Sequence, residues 1–288
     1  MELSLEYWFL FPISAIIATI AMASGIGGAV FFSPLFMLAL QLDAKIAVGT
    51  ALITELFGFT SGLIAYIKTK LIDYHLAKNL LLFSIPFAIL GLLIADYFPD
   101  VILKTIFAVG LIFIGLQLFT SWRQEEREKH EAVHEEEFKE DYESCLIDNE
   151  GHEYRYTICN KNMGRMFAAI GGAFVSMISV GLAELQEYQL VARCKVPTPV
   201  AIATSIFVVV ITLLVASAGH IYEFASGNVS DLSEVINLAI FTVPGVILGG
   251  QIGPKVQKWL PDDKTKISIS ILFLMIGVFM LITVSDLL

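Results

Sequence analysis

The chain has 288 residues, of which 56% are hydrophobic and 16% charged, and its mean hydropathy is +0.75. A soluble domain of this size needs far more polar surface, so the composition excludes one and predicts a polytopic membrane protein in contact with the lipid bilayer. The net charge of −10 is concentrated between Arg123 and Asn162, the remainder is close to neutral, and nothing in it points to nucleic acid as a partner.

The N-terminus carries Glu2 and Glu6 and no Lys or Arg, so it lacks the basic region of a secretory signal and reads as the lead-in to a retained first helix. Apolar segments then run over 8–24, 28–41, 46–66, 76–95 and 101–121. After a polar insert they resume over 164–180, 182–194, 200–222, 235–254 and 266–285. Most meet the ~20-residue requirement for a spanning helix. The second segment of each half is short, and 182–194 is also polar, with Glu184, Gln186, Glu187, Tyr188 and Arg193. These two are weak spans and read equally as half-helices of a re-entrant hairpin.

The halves repeat one another. Gly25-Ile26-Gly27-Gly28 and Ile46-Ala47-Val48-Gly49-Thr50-Ala51 return as Ser179-Val180-Gly181-Leu182 and Val200-Ala201-Ile202-Ala203-Thr204-Ser205. Pro86…Gly91 returns as Pro244…Gly249, and Phe113-Ile114-Gly115 as Met275-Ile276-Gly277. If the first two segments of each half cross twice, or enter and return on one side, the cations fall into order. Lys68, Lys70, Lys78, the insert from Arg123 to Arg165, Arg193, Lys195, Lys255, Lys258, Lys264 and Lys266 then share one side. The N-terminus, Lys45, Lys104, the cation-free stretch 223–234 and the tail share the other. Counting each broken pair as a single crossing scatters the cations over both sides. The excess of Lys and Arg on cytoplasmic loops therefore predicts extracytoplasmic termini, a cytoplasmic insert and halves of opposite orientation. The expected fold is an all-α polytopic membrane protein with two inverted repeats of about five transmembrane or half-membrane helices each, a plan common among transporters. Residues 1–121 form the first repeat, 122–163 the acidic insert and 164–288 the second repeat.

Within the insert, mixed charges from Ser121 to Glu143 suit a solvated helix continuing out of the membrane. Cys145 to Ile158 alternates around a turn signal at Asp148-Asn149-Glu150-Gly151, as a β-hairpin does. His130, His134, His152, Cys145 and Cys159 lack metal-site spacing, so a solvated face is favoured over zinc and no cofactor is expected. The 3 cysteines, Cys145, Cys159 and Cys194, follow no disulfide framework and are expected as reduced, structurally incidental thiols.

Chemistry is most densely written at the glycine-rich interruptions. Gly25, Gly27 and Gly28, followed by Ser33-Pro34, break the first apolar stretch. Irregular backbone at membrane depth is tolerated where it is buried in protein or lines a cavity, and free amides beside a half-helix suit an anion. Close helix packing is the alternative, since small residues also mark helix contacts. Recurrence of the pattern, with Thr50 and Thr204-Ser205 downstream, favours a ligand-lining role. Glu55 lies inside the third segment, where a carboxylate costs about 2.5–3.5 kcal/mol and must face the interior. Its repeat counterpart is Val209, so the scaffold does not demand an acid there, and proton coupling is its sharpest role; a carboxylate satisfied by Thr54 or Thr60 is the plainer one. Glu184 and Glu187 share one face of the second broken segment if it is helical. His220 is read as interfacial rather than as a proton relay, and Trp8, Tyr66, Trp122 and Trp259 as an interfacial belt. No zincin, nucleophile-elbow or P-loop signature is present, which favours transport over catalysis.

Ser24 to Thr50, with Gly25-Ile26-Gly27-Gly28, Ser33-Pro34-Leu35 and Ala47-Val48-Gly49-Thr50, resembles the TauE/SafE sulfite exporter family of membrane transport proteins. Tyr66…Leu71-Ile72-Asp73 and Pro86…Gly91 are similar to that family's first half, and the likeness spans both halves but not the insert. The resemblance implies a secondary transporter of small, often sulfur-containing anions such as sulfite or organosulfonates, working in the export direction. The glycines it carries over are Gly25, Gly27, Gly28 and Gly181. The second motif departs from the family by placing Glu184 and Glu187 after Gly181, acids that would repel an anion unless protonated or paired, for instance with Arg193. The expected site thus has Gly25, Gly27, Gly28, Thr50, Gly181, Thr204 and Ser205 around a small-molecule anion, with Glu55 and Glu184 or Glu187 handling protons. Transport of a cation or neutral solute, and a membrane sensor signalling through the insert, are the competing readings. Homo-oligomer formation is left open.

Overall fold

The structure, a computed structural model, describes residues 5–24, 27–131, 144–226, 229–257 and 262–285. Helix α1 (Leu10–Ser24) is followed by a break and by α2 (Ala29–Pro34), which runs into a π turn at Leu35–Ala39. Three long helices complete the first half: α3 (Ala44–Thr69), α4 (Tyr74–Ala95) and α5 (Asp100–Glu131). The second half repeats the order with α6 (Lys161–Ile178), a break, α7 (Leu182–Glu187) and its π turn at Tyr188–Arg193, then α8 (Thr198–Ser226), α9 (Val229–Gln257) and α10 (Asp262–Ser285).

Polar residues set the ends of these helices. Lys70, in the left-handed region at φ 61°, stops α3, and Asp73 starts α4 by accepting from the His75 and Leu76 amides at 3.0 and 2.9 Å. Among the described residues, α3, α4, α5, α8, α9 and α10 contain stretches long and apolar enough to span a bilayer. The 15-residue α1 and the 29–39 stretch fall short of that length. The chain is a multi-pass membrane protein.

Burial sorts the helices into layers. The apolar stretches of α3 and α8 are each 78% buried, while that of α4 is 28% buried. The pair α3 and α8 therefore forms the centre, and Leu82, Leu93, Phe113, Met275 and Phe279 are among the large apolar side chains left on the outer surface, as lipid contact requires. Tyr66 is 5% exposed, inside this central layer rather than in the interfacial belt expected for it. Its position near the end of an apolar run suggested the interface, but Tyr66 lies on the buried face of α3, while Ile64 and Ile67 beside it are exposed.

Packing follows the repeat. α1 lies on α9, and its counterpart α6 lies on α4; α3 packs on α9 as α8 packs on α4; α5 and α10 pack on each other. The matched glycines make the two outer contacts possible. A Cβ at Gly91 would stand 2.2 Å from the Ala173 carbonyl oxygen, and one at Gly249 2.4 Å from that of Ala15. In both cases the obstacle is backbone, which cannot rotate aside. Gly91→Ala is expected to lower thermal stability by about 1–3 kcal/mol through overpacking. Gly164→Ala in the same interface, where the nearest atom is 3.7 Å away, is expected to be near neutral. Unfolding scans of the purified variants in detergent measure the difference.

In the insert, α5 continues as a helix to Glu131, and residues 132–143 lie outside the described residues. Strands β1 (Ser144–Ile147) and β2 (Glu153–Tyr156) pair antiparallel as the alternation predicted, with Leu146 opposite Tyr154. The turn is tied by Asp148 Oδ1, which accepts from the Glu150 and His152 amides at 2.8 Å each. The hairpin docks on the bundle: the Asn149 amide donates to the Thr69 carbonyl at 3.2 Å, and the Tyr156 hydroxyl donates to Asp73 Oδ2 at 2.8 Å. Burial, reinforced by the Asp73 carboxylate, holds the Tyr156 phenol above its usual pKa, so it stays a donor. Tyr156→Phe is expected to weaken docking by about 1.5–3 kcal/mol, the worth of a hydrogen bond to a charged group. Limited proteolysis should then cut the insert faster.

The cysteine expectation needs correction. Cys159 and Cys194 form a disulfide, with Cys145 left free and exposed. Their wide spacing gave no framework signal, but the fold brings them together across α6 and α7. The chain runs inward along the 18 residues of α6 and turns back through α7 and its π turn. The two Cα atoms end 5.0 Å apart, so this broken pair enters and leaves at one end of the bundle.

Candidate substrate site at the paired helix breaks

The first break precedes α2; at the other end of that helix Pro34 has no amide to give the helical ladder, and the chain widens into a π turn directly after it. In the second half, Ser179 at φ 59° ends α6 with its amide donating to Val175 O at 2.8 Å. Gly181 then takes φ 113°, a conformation that suits glycine, before α7 begins.

The two breaks touch. Glu184, 2% exposed, spans them: the Gly181 amide donates to its Oε2 at 3.0 Å and the Gly27 amide to its Oε1 at 3.2 Å. The first bond is an ordinary capping contact within α7; the second joins one half of the chain to the other. Ser33 and Ser179 hydrogen-bond at 2.5 Å across the same junction.

Glu55 arrives from the central helix α3 and is 3% exposed. The backbone amides of Ala29 and Gly28 face its carboxyl group, while its Oε1 has no hydrogen-bond partner. Thr54 does not serve it, being paired with Thr242 at 2.9 Å. A Cβ at Gly27 would lie 3.1 Å from Glu55 Oε1 and 3.2 Å from Glu184 Oε1, so both carboxyl groups close on the bare face of one glycine. Burying an ion without compensation costs several kcal/mol. Here main-chain amides face the carboxyl groups, and no cation among the described residues does; Arg193, the partner considered from sequence, is exposed.

Of the expected site residues, Gly27, Gly28, Gly181, Glu55 and Glu184 therefore converge. Gly25 lies outside the described residues. Thr50 is fully buried and donates to Ile46 O at 2.7 Å, along its own helix. Thr204 accepts the Asp73 amide at 3.0 Å and so braces the start of α4. Ser205 is 3% exposed with no partner for its hydroxyl. Glu187 is buried at the end of α7, three residues beyond Glu184.

Three residues at or near the breaks were not anticipated. Ser33 and Ser179 were visible only as parts of motifs, and their contact depends on how the halves cross. Gln186 is 1% exposed, and neither its nitrogen nor its oxygen has a partner; its signal was a polar amide in an apolar run. His220 also needs correction: it is 2% exposed, not interfacial. Its Nε2 lies 2.9 Å from Ser176 O, and its Nδ1 is 3.6 Å from Glu223 Oε2. Position near a segment end had suggested the membrane surface, but His220 lies on the face of α8 that is turned into the bundle, while Ile221 and Tyr222 beside it are exposed.

A cavity of about 650 Å3 between α5 and α6 reaches Gly181 and Leu185. Its wall includes Phe113, Phe167, Phe174 and Ile178 and carries no charged side chain. Such a surface suits acyl chains rather than an ion.

Comparison with known proteins supports a transport role for this architecture. The chain is 23% identical over 281 residues to the probable membrane transporter protein YunE of Bacillus subtilis, covering 95% of this chain and 96% of that one. It is 24% identical over 246 residues to the probable membrane transporter protein YjnA of the same organism, covering 81% and 84%. A probable membrane transporter protein of Methanocaldococcus jannaschii is 20% identical over 295 residues, covering 98% of this chain and 99% of its own length. No solved structure matches. The profile described as sulfite exporter TauE/SafE matches residues 10–280, which takes in both breaks and both acids, and the chain belongs to that family.

Proposed function

We propose that the protein is a secondary-active transporter that exports a small anion, such as sulfite or an organosulfonate, in exchange with protons. The observation carrying this reading is the Gly27 amide on the Glu184 carboxylate. A main-chain donor beside a broken helix already holds a carboxyl oxygen at the junction of the two halves. A substrate oxyanion takes the same donors when Glu184 is protonated and lets them go. Glu55, with one buried oxygen unpartnered, is the second proton seat. In this scheme Gly25, Gly27, Gly28 and Gly181 supply the anion contacts. Thr50 on α3 and Thr204 and Ser205 on α8 belong to the central helices.

The halves are assigned opposite orientations, with extracytoplasmic termini and a cytoplasmic insert, from the distribution of Lys and Arg. The return of α6 and α7 to one end of the bundle agrees with the required number of crossings. Single cysteines placed at Lys70 and Tyr222, both exposed, are expected to react with impermeant reagent from opposite faces. Labelling from the same face overturns the inverted arrangement.

Transport of a cation is the second reading, favoured because Glu55 and Glu184 have no basic partner among the described residues. Proteoliposomes loaded with sulfite or a short sulfonate separate the two. Efflux that rises with an imposed proton gradient and is inhibited by other oxyanions supports anion export. Inhibition by metal ions but not by oxyanions supports the cation reading instead.

A further inference from the structure

A separate cavity of about 490 Å3 lies at the end of the bundle that bears the hairpin. It is bounded by the first turns of α4 and α6, the π turn after α7 and the chain around Cys159, and it stands apart from the breaks. Among its lining residues are His75, Asn79, Lys161, Arg165 and Gln189, and none of the described lining residues is acidic.

Arg165 is the centre of this wall, and its hydrogen-bond partners among the described residues are neutral. Nη2 donates to Asn79 Oδ1 at 3.2 Å and Nη1 to Asn162 Oδ1 at 3.3 Å. The guanidinium sits 5.6 Å over the Phe83 ring, while Nε is buried without a partner. A guanidinium carries five donors in a rigid fork and its charge is permanent, so two amide oxygens leave donor capacity and charge unmatched. Opposite it, Gln189 is 3% exposed, with its amide nitrogen 3.3 Å from Cys194 Sγ and its oxygen unpartnered. An arginine on a membrane protein often extends its head group to the interface merely to reach water. This one is instead held by two asparagines and an aromatic ring beside a cavity whose described lining carries no acidic side chain.

We propose that this cavity is an anion site that holds one compact oxyanion group, a sulfonate or a phosphate, on Arg165 with Lys161 beside it. The chemistry is the same whether the group belongs to a soluble anion or to the head of an anionic lipid, and a planar fork matches two oxygens of either. The site lies on the face assigned to the cytoplasm, five residues along the chain from Glu184 through Gln189.

The test uses the purified full-length protein in two arms. In neutral detergent, ethanesulfonate and inorganic phosphate are titrated while thermal stability is followed; in nanodiscs, phosphatidylglycerol replaces a neutral lipid. Saturable stabilisation that weakens at least about tenfold in Arg165→Gln, about 1.4 kcal/mol, is expected, with Lys70→Gln unchanged. Arg165→Lys, which keeps the charge and loses the fork, is expected between the two. An Arg165-dependent response to the soluble probes alone identifies a soluble ligand, and to phosphatidylglycerol alone a lipid head group. Absence of an Arg165-dependent response in both arms overturns the proposal. Should Arg165→Gln fail to fold, Arg165→Lys and Lys161→Gln carry the same comparison. Gly27→Leu separates this site from the breaks: affinity lost there but kept in Arg165→Gln refutes the cavity and leaves the transport reading standing.

Discussion

Glu55→Gln is expected to reduce proton-driven anion efflux from proteoliposomes by at least about tenfold and to flatten its dependence on pH. Glutamine preserves the volume and can still accept from the Ala29 and Gly28 amides that face this position. It cannot take up or release a proton, so a coupling role is removed while packing is retained. A tenfold change corresponds to about 1.4 kcal/mol, near the upper end of the net worth of one ordinary hydrogen bond. Glu184→Gln is expected to act differently. Both Glu184 oxygens accept main-chain amides, and a carboxamide turns one of those contacts into donor against donor. Anion affinity and thermal stability should therefore change together. If Glu55→Gln transports with the unaltered pH profile, Glu55 is not a proton seat.

The second large effect is steric. Gly27→Leu is expected to abolish flux, because its Cβ alone would stand 3.1 and 3.2 Å from two carboxyl oxygens and the remaining carbons need space that Glu55 and Glu184 fill. Gly28→Ala is the matched control. Its Cβ would meet nothing nearer than 3.7 Å, an ordinary contact, so flux and stability should be close to normal. Overpacking costs about 1–3 kcal/mol, and unfolding scans show whether lost flux in Gly27→Leu accompanies a folded protein. A folded Gly27→Leu with normal flux removes the break from the transport path.

The duplication was legible because it is written in residues that cannot easily be exchanged. Gly91 and Gly249 stand where a Cβ would strike backbone, and the two glycine-marked breaks persist where helical pairing is interrupted. The hairpin was readable from alternation, since one face of each strand turns toward the bundle. Contacts between distant segments were not. The Cys159 and Cys194 bond depends on α6 and α7 returning to their starting level. The Ser33 and Ser179 contact depends on how the breaks cross. Thr204 shows the opposite failure: the repeat marked it correctly as special, but its hydroxyl holds the Asp73 amide rather than facing the breaks. His220 and Tyr66 were misjudged for one reason, that hydropathy measures length in the membrane and not distance from the molecular axis.

The acids break the symmetry that the glycines keep. Valines, Val209 and Val30, stand at the repeat positions matching Glu55 and Glu184. Each half contributes one carboxylate, both directed at the same glycine of the first half. In the proposed transporter, duplication has therefore supplied two gates but only one ionisable lock between them. Each turnover must pass its charge through that single lock from alternating sides, and the two gates, although copies in backbone, are not interchangeable in energy.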